Sequence, residues 1–89
     1  MTEVKDLNLE QEVKEQIAYH TNRYNSNTEE HILAKDIDLN EDLDMYMDSL
    51  ELAELGIDLE VKYKREDIYD KLFEKNDFTG KGLIEIISS

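Results

Sequence analysis

Apolar residues at the start of the chain fall at helical spacing. Leu9, Val13, Ile17 and Tyr24 lie on one stripe, four, four and seven residues apart, while Glu10, Glu12, Lys14, Glu15 and Gln16 lie off it. This predicts a first helix over about Leu7 to Tyr24 with one buried face. The polar run from Asn22 to Asn27 then ends it. Between about 25 and 47 the periodicity weakens, although Thr28 before Glu29, Glu30 and His31 offers a cap for a short helical turn. A connection this long in a small domain signals function or disorder. Ile32, Leu33, Ile37, Leu39 and Leu43 are spread through it, so it is expected to be pinned to the core.

The clearest helix spans about 48 to 63. Asp48 is placed to accept from a first-turn amide, and Glu51 three residues on is placed to reciprocate as in a capping box. Leu52, Leu55, Leu59 and Tyr63 follow at spacings of three, four and four, a stripe that docks the helix. Leu50, Ile57 and Val61 form a second apolar line among Glu51, Glu54, Asp58 and Glu60, expected to stay partly exposed as a partner face. The basic run Lys62 to Arg65 closes this helix, where positive charge complements the negative end of the helix dipole.

A shorter helix is expected over about 66 to 74, carrying Ile68, Leu72 and Phe73, and a final one over about 79 to 87 with Leu83, Ile84, Ile86 and Ile87 inward. Gly80 and Gly82 weaken that last helix by about 1 kcal/mol each relative to alanine. An extended Leu83 to Ile87 is its rival, because the run is short and β-branched. The expected core is Leu9, Val13, Ile17, Leu52, Leu55, Leu59, Tyr63, Ile68, Leu72, Ile84 and Ile87. The fold class is therefore all-α: a small bundle of three major helices and one short one, with a long loop between helices 1 and 2.

Composition narrows what such a bundle does. Eighty-nine residues hold one modest core, so residues 1–89 are read as a single domain. Acidic residues outnumber basic ones 23 to 10, a formal charge of −13. Nucleic acid and anionic membrane surfaces are disfavoured as partners, since both are met by clustered basic side chains. A basic protein surface is favoured. The absence of cysteine excludes disulfides, thiolate metal sites and a cysteine nucleophile. No apolar run reaches the length of a membrane span, and the first residues lack the basic and apolar regions of a secretory signal, so a cytoplasmic monomer is expected.

Few residues carry candidate chemistry. Ser49 has no histidine or lysine beside it in sequence and no glycine-flanked elbow leading into it, so a self-contained hydrolase is not expected. The segment Asp36-Ile37-Asp38-Leu39-Asn40-Glu41-Asp42 opens like a calcium loop, but Glu41 and Met47 stand where that loop needs glycine and a bidentate glutamate. No dedicated metal site is expected. His20 and His31 are read as surface or interface side chains, and the five tyrosines as core and rim packing.

Glu41-Asp42-Leu43 followed by Asp48-Ser49-Leu50-Glu51-Leu52-Ala53-Glu54-Leu55 resembles the modification site of acyl carrier proteins. An Asp-Ser-Leu triplet opening an acidic amphipathic helix, at this depth in an acidic chain of this length, is much more specific than the triplet alone. The resemblance covers Leu7 to Ile87 and implies an acyl-carrier-like bundle. It implies 4′-phosphopantetheine on Ser49, attached by a separate phosphopantetheinyl transferase, with Asp48 assisting that enzyme. Leu50, Glu51, Glu54, Ile57 and Asp58, with Glu60 beside them, would meet basic, acyl-loading and acyl-processing enzymes of fatty-acid, polyketide or related lipid biosynthesis. The chain would be a carrier and not an enzyme. Asp44-Met45-Tyr46-Met47 stands where family members usually carry a glycine, and Gly56 replaces a branched residue, which points to a specialised member. The alternative is an acidic protein-interaction or divalent-cation-binding module with an unmodified serine.

Overall fold

Side-chain acceptors and left-handed residues set most of the helix ends in this chain. The computed structural model describes the backbone of residues 2–25 and 31–89 and the side chains of 8–25 and 31–89. It holds α1 (Thr2–Tyr24), α2 (Ser49–Tyr63), α3 (Ile68–Lys75) and α4 (Gly80–Ser88). Asp48 caps α2 by accepting the Glu51 N–H at 2.9 Å, and Thr79 caps α4 by accepting the Gly82 N–H at 3.0 Å. The Asp67 side chain makes no cap bond to α3; Glu60 of α2 accepts the Tyr69 N–H at 3.0 Å instead. Lys64 (φ 56°) and Asn76 (φ 52°) end α2 and α3 in the left-handed region, each N–H turning back to the last carbonyls.

α1 packs against α2 and α4, and α3 bridges α2 and α4. Val13, Ile17, Leu55, Leu59, Ile68, Leu72, Leu83 and Ile86 are fully buried where the helices meet. Each such side chain contributes about 1.5–3 kcal/mol by leaving water, and this burial holds the bundle together. The long connection is pinned as expected, through buried Ile37 and Leu43. It contains two 3₁₀ turns, Ala34–Asp36 and Leu43–Met45, and touches the start of α4 where Leu43 N–H donates to the Phe78 carbonyl at 2.7 Å. The turn expected after Thr28 lies outside the described residues. Among the described residues there is no strand, only an isolated bridge between Asp42 and Thr79, and no helix is long and apolar enough to cross a membrane.

Several sequence expectations need correction. α1 begins at Thr2, ahead of Leu7. Tyr24 is exposed rather than on the buried stripe, and Leu33 and Phe73 also face outward. Leu83 to Ile87 is helical, so the extended alternative fails. Thr79 sets the phase of that helix so that Leu83 and Ile86 point to the core, leaving Ile84 and Ile87 partly buried beside it. Tyr63 is likewise only partly buried, its hydroxyl donating to a Glu12 carboxylate on α1.

Two glycines are packing devices rather than weak points. A Cβ at Gly80 would stand 2.5 Å from a Leu39 methyl and 3.1 Å from Ile17 Cδ1, so its absence lets α4 start against α1 and the loop. A Cβ at Gly56 would come within 3.0–3.1 Å of Tyr69, whose side chain takes the place of the branched residue expected there.

Candidate functional site

Ser49 is the first residue of α2 and is exposed. Its hydroxyl makes no hydrogen bond among the described residues. The local backbone explains why. Asp48 takes the Glu51 N–H with its side chain and the Leu52 N–H with its carbonyl (2.9 Å). That leaves the Ser49 and Leu50 amides, two of the four donors every helix start leaves over, without an acceptor among the described residues. The approach is anchored on either side of the outward Met45, because Leu43 and Met47 are buried. Tyr46 braces it by accepting the Asp38 N–H at its hydroxyl, 3.1 Å away. The serine thus sits on a held turn beside exposed Asp48 and Leu50.

Along the outer face of α2 the second apolar line is exposed as expected: Leu50 75%, Ile57 55% and Val61 73%. Ile57 and Val61 continue into a shallow groove with Glu60, Lys64 and Arg65. Glu54 and Asp58 stand on the same helix, both about half exposed. Arg23 Nη2 donates to Glu54 Oε1 at 3.0 Å. Glu51 and then Glu54 hold the Arg23 guanidinium above its ordinary pKa, so it stays charged.

Glu51 departs from expectation twice. It does not return a bond to the Asp48 backbone, so only half of the capping box forms, and it is buried rather than presented to a partner. Its Oε2 lies 2.5 Å from Nδ1 of His20, whose Nε2 lies 2.7 Å from Asp58 Oδ2. His20 is fully buried at the α1–α2 interface, whereas His31 is on the surface. Sequence spacing carried a signal for this pair. Three residues past Ile17 the α1 stripe reaches His20, and Glu51 and Asp58 are two turns apart on α2.

The arrangement limits the chemistry. Carboxylates occupy both nitrogens of His20, so this imidazole does not serve Ser49 as a base. Carboxylates of the calcium-like segment are used locally, Asp36 accepting from the Leu33 N–H and Asp38 from the Asn40 N–H. Among the described residues no group of three or more histidine, aspartate or glutamate side chains is placed to hold a metal ion. Asp48, Ser49 and Leu50 therefore form one exposed end, Glu54, Ile57 and Asp58 an exposed flank, and Glu51 belongs to the interior. No family model, curated protein or solved structure matches the chain.

Proposed function

We propose that this chain is an acyl carrier protein, modified on Ser49 with 4′-phosphopantetheine by a separate transferase. The observation that carries the reading is the exposed Ser49 hydroxyl, without a hydrogen-bond partner among the described residues, at the first turn of an acidic helix, within Asp48-Ser49-Leu50. In the transfer, Ser49 Oγ forms a bond to the phosphorus of coenzyme A that carries the pantetheine. The bond from that phosphorus to the nucleotide part breaks, and the serine proton passes to a base of the transferase. This chain needs no base of its own, in keeping with His20 being occupied elsewhere. The attached group would supply a thiol that holds acyl units as thioesters, which a chain without cysteine lacks.

The residues present fit that group. A phosphodiester on Ser49 would lie where the Ser49 and Leu50 amides and the positive dipole end of α2 favour negative charge. Asp48 would hold the helix start and contribute a carboxylate to the transferase complex. Exposed Leu50 and Ile57, with half-exposed Glu54 and Asp58 on the same helix, offer apolar contacts beside acid, suited to basic enzymes bound briefly. Glu51 has no part in that face.

Intact mass tests the proposal. Incubation with a phosphopantetheinyl transferase and coenzyme A is expected to add one phosphopantetheine to the chain and none to Ser49→Ala. An unchanged mass across several transferases would overturn it.

A further inference from the structure

His20 is the residue of α1 that α2 grips from both sides. A carboxylate oxygen only accepts hydrogen bonds, so the contacts to Glu51 and Asp58 are both favourable only when both ring nitrogens carry protons. A neutral ring keeps one proton, and its bare nitrogen then faces the lone pairs of one carboxylate. The two carboxylates differ in their freedom to respond. The Glu51 side chain, 10% exposed, is on the side away from bulk water, and Arg23 Nε stands 3.6 Å from the same Glu51 oxygen. The Asp58 side chain is 47% exposed and has water within reach. Among the described residues, the charged and titratable groups around the ring and its partners are Tyr19 and Arg23 from α1 and Glu51, Glu54, Asp58 and, one turn past Asp58 on the same hollow, Lys62 from α2.

We propose that His20 is a proton-operated latch between α1 and α2. Charged, the ring donates to both carboxylates. When Nε2 gives its proton to water at the exposed Asp58 side, Nδ1–H stays on Glu51, and Asp58 turns outward. The tie to Asp58 is therefore present on the acid side of the ring's titration and lost on its alkaline side. In the same step the outer face of α2 gains an unpaired carboxylate, and the cluster becomes more negative by one charge. The proposal rests on ring geometry and holds whether or not Ser49 is modified.

Long-range proton–nitrogen correlation spectra of the His20 ring, recorded on the full chain across a pH titration, test it together with the side-chain carboxyl carbon signal of Asp58. The expected result is loss of the Nε2 proton with retention of Nδ1–H, and an Asp58 signal that moves at the same midpoint as the ring. Asp58→Asn should keep the Glu51 contact and flatten the dependence of unfolding stability on pH, because an amide satisfies a protonated or a bare Nε2 equally. A neutral ring protonated at Nε2, or an Asp58 signal that ignores the ring's titration, would overturn the latch. Should Asp58→Asn not fold, the spectra of the unaltered chain decide alone.

Discussion

The two ends of α2 use their polar groups in opposite ways. At the start, Asp48 satisfies two amides, while the Ser49 hydroxyl and the Ser49 and Leu50 amides face outward without partners among the described residues. At the far end, Lys64 turns the chain left-handed, and Arg65 then ties three helices together. Its backbone N–H returns to the Glu60 carbonyl at 2.9 Å. Its Nη1 donates to the Ile86 and Ile87 carbonyls at the end of α4, 2.5 and 3.1 Å away, and its Nε and Nη2 hold Asp67 before α3. Arg65 of the basic patch is thus a structural device there, countering the negative end of the α4 dipole. A helix end whose polar groups are spent inside the fold has little to offer a partner. The serine end has kept them.

If that contrast is correct, substitutions should cost most at the Arg65 end. Arg65→Ala removes charge-assisted bonds to carbonyls at the end of α4 and is expected to lower unfolding stability by about 2–3 kcal/mol, read by denaturant titration. It also frees Asp67. The hydrogen bond from Arg65 holds that carboxyl below its ordinary pKa. A lowered folded value means that the contribution of Asp67 is present above the unfolded carboxylate pKa, about 3.9, and is lost as pH falls through the lower folded value. The acid limb of the stability curve should therefore be steeper in the unaltered chain than in Arg65→Ala. A loss under about 0.5 kcal/mol, the ordinary range for a surface substitution, would erase the difference between the two ends.

The same contrast shows what a sequence reveals. The α2 stripe of Leu52, Leu55 and Leu59, its Asp48 cap and its exposed second line were legible because helical spacing and capping are local. So was the pinning of the connection through Ile37 and Leu43. What escaped depends on groups distant in sequence. Glu51 reads as a capping-box partner from its spacing alone, and only the approach of α1 with His20 draws it inward. Met47 joins the core because the turn at Leu43–Met45 swings it in, which no periodicity announces. Gly80 reads as a weak helix former and Gly56 as a missing branched residue until Leu39 and Tyr69 are seen against them. The site's exposed serine needed only local information, whereas its buried acid needed the tertiary fold.

A moderate effect is expected at the cap. Asp48→Ala removes the acceptor of the Glu51 N–H and should cost about 1 kcal/mol, while Asp48→Asn, which still offers a side-chain oxygen, should cost less. Because Glu51 is bound to His20 and does not return a bond, no second capping interaction is lost with it. A cost equal to that of Arg65→Ala would show that the serine end is as firmly built into the fold as the far end.

Ser49→Ala should change stability least of all. The hydroxyl satisfies no group among the described residues, and alanine is the better helix former, so the unfolding midpoint should stay within about 0.5 kcal/mol of the unaltered chain. Paired with the mass assay, this substitution separates two roles that a capping serine otherwise confounds. A helix-start hydroxyl kept for folding would cost about 1 kcal/mol on removal and leave any modification elsewhere intact. One kept for chemistry would leave the bundle unmoved and abolish phosphopantetheine attachment. Unchanged stability with lost attachment is the outcome the open end of α2 requires; a destabilised variant would make Ser49 a second cap beside Asp48, and the two ends of the helix would then differ only in degree.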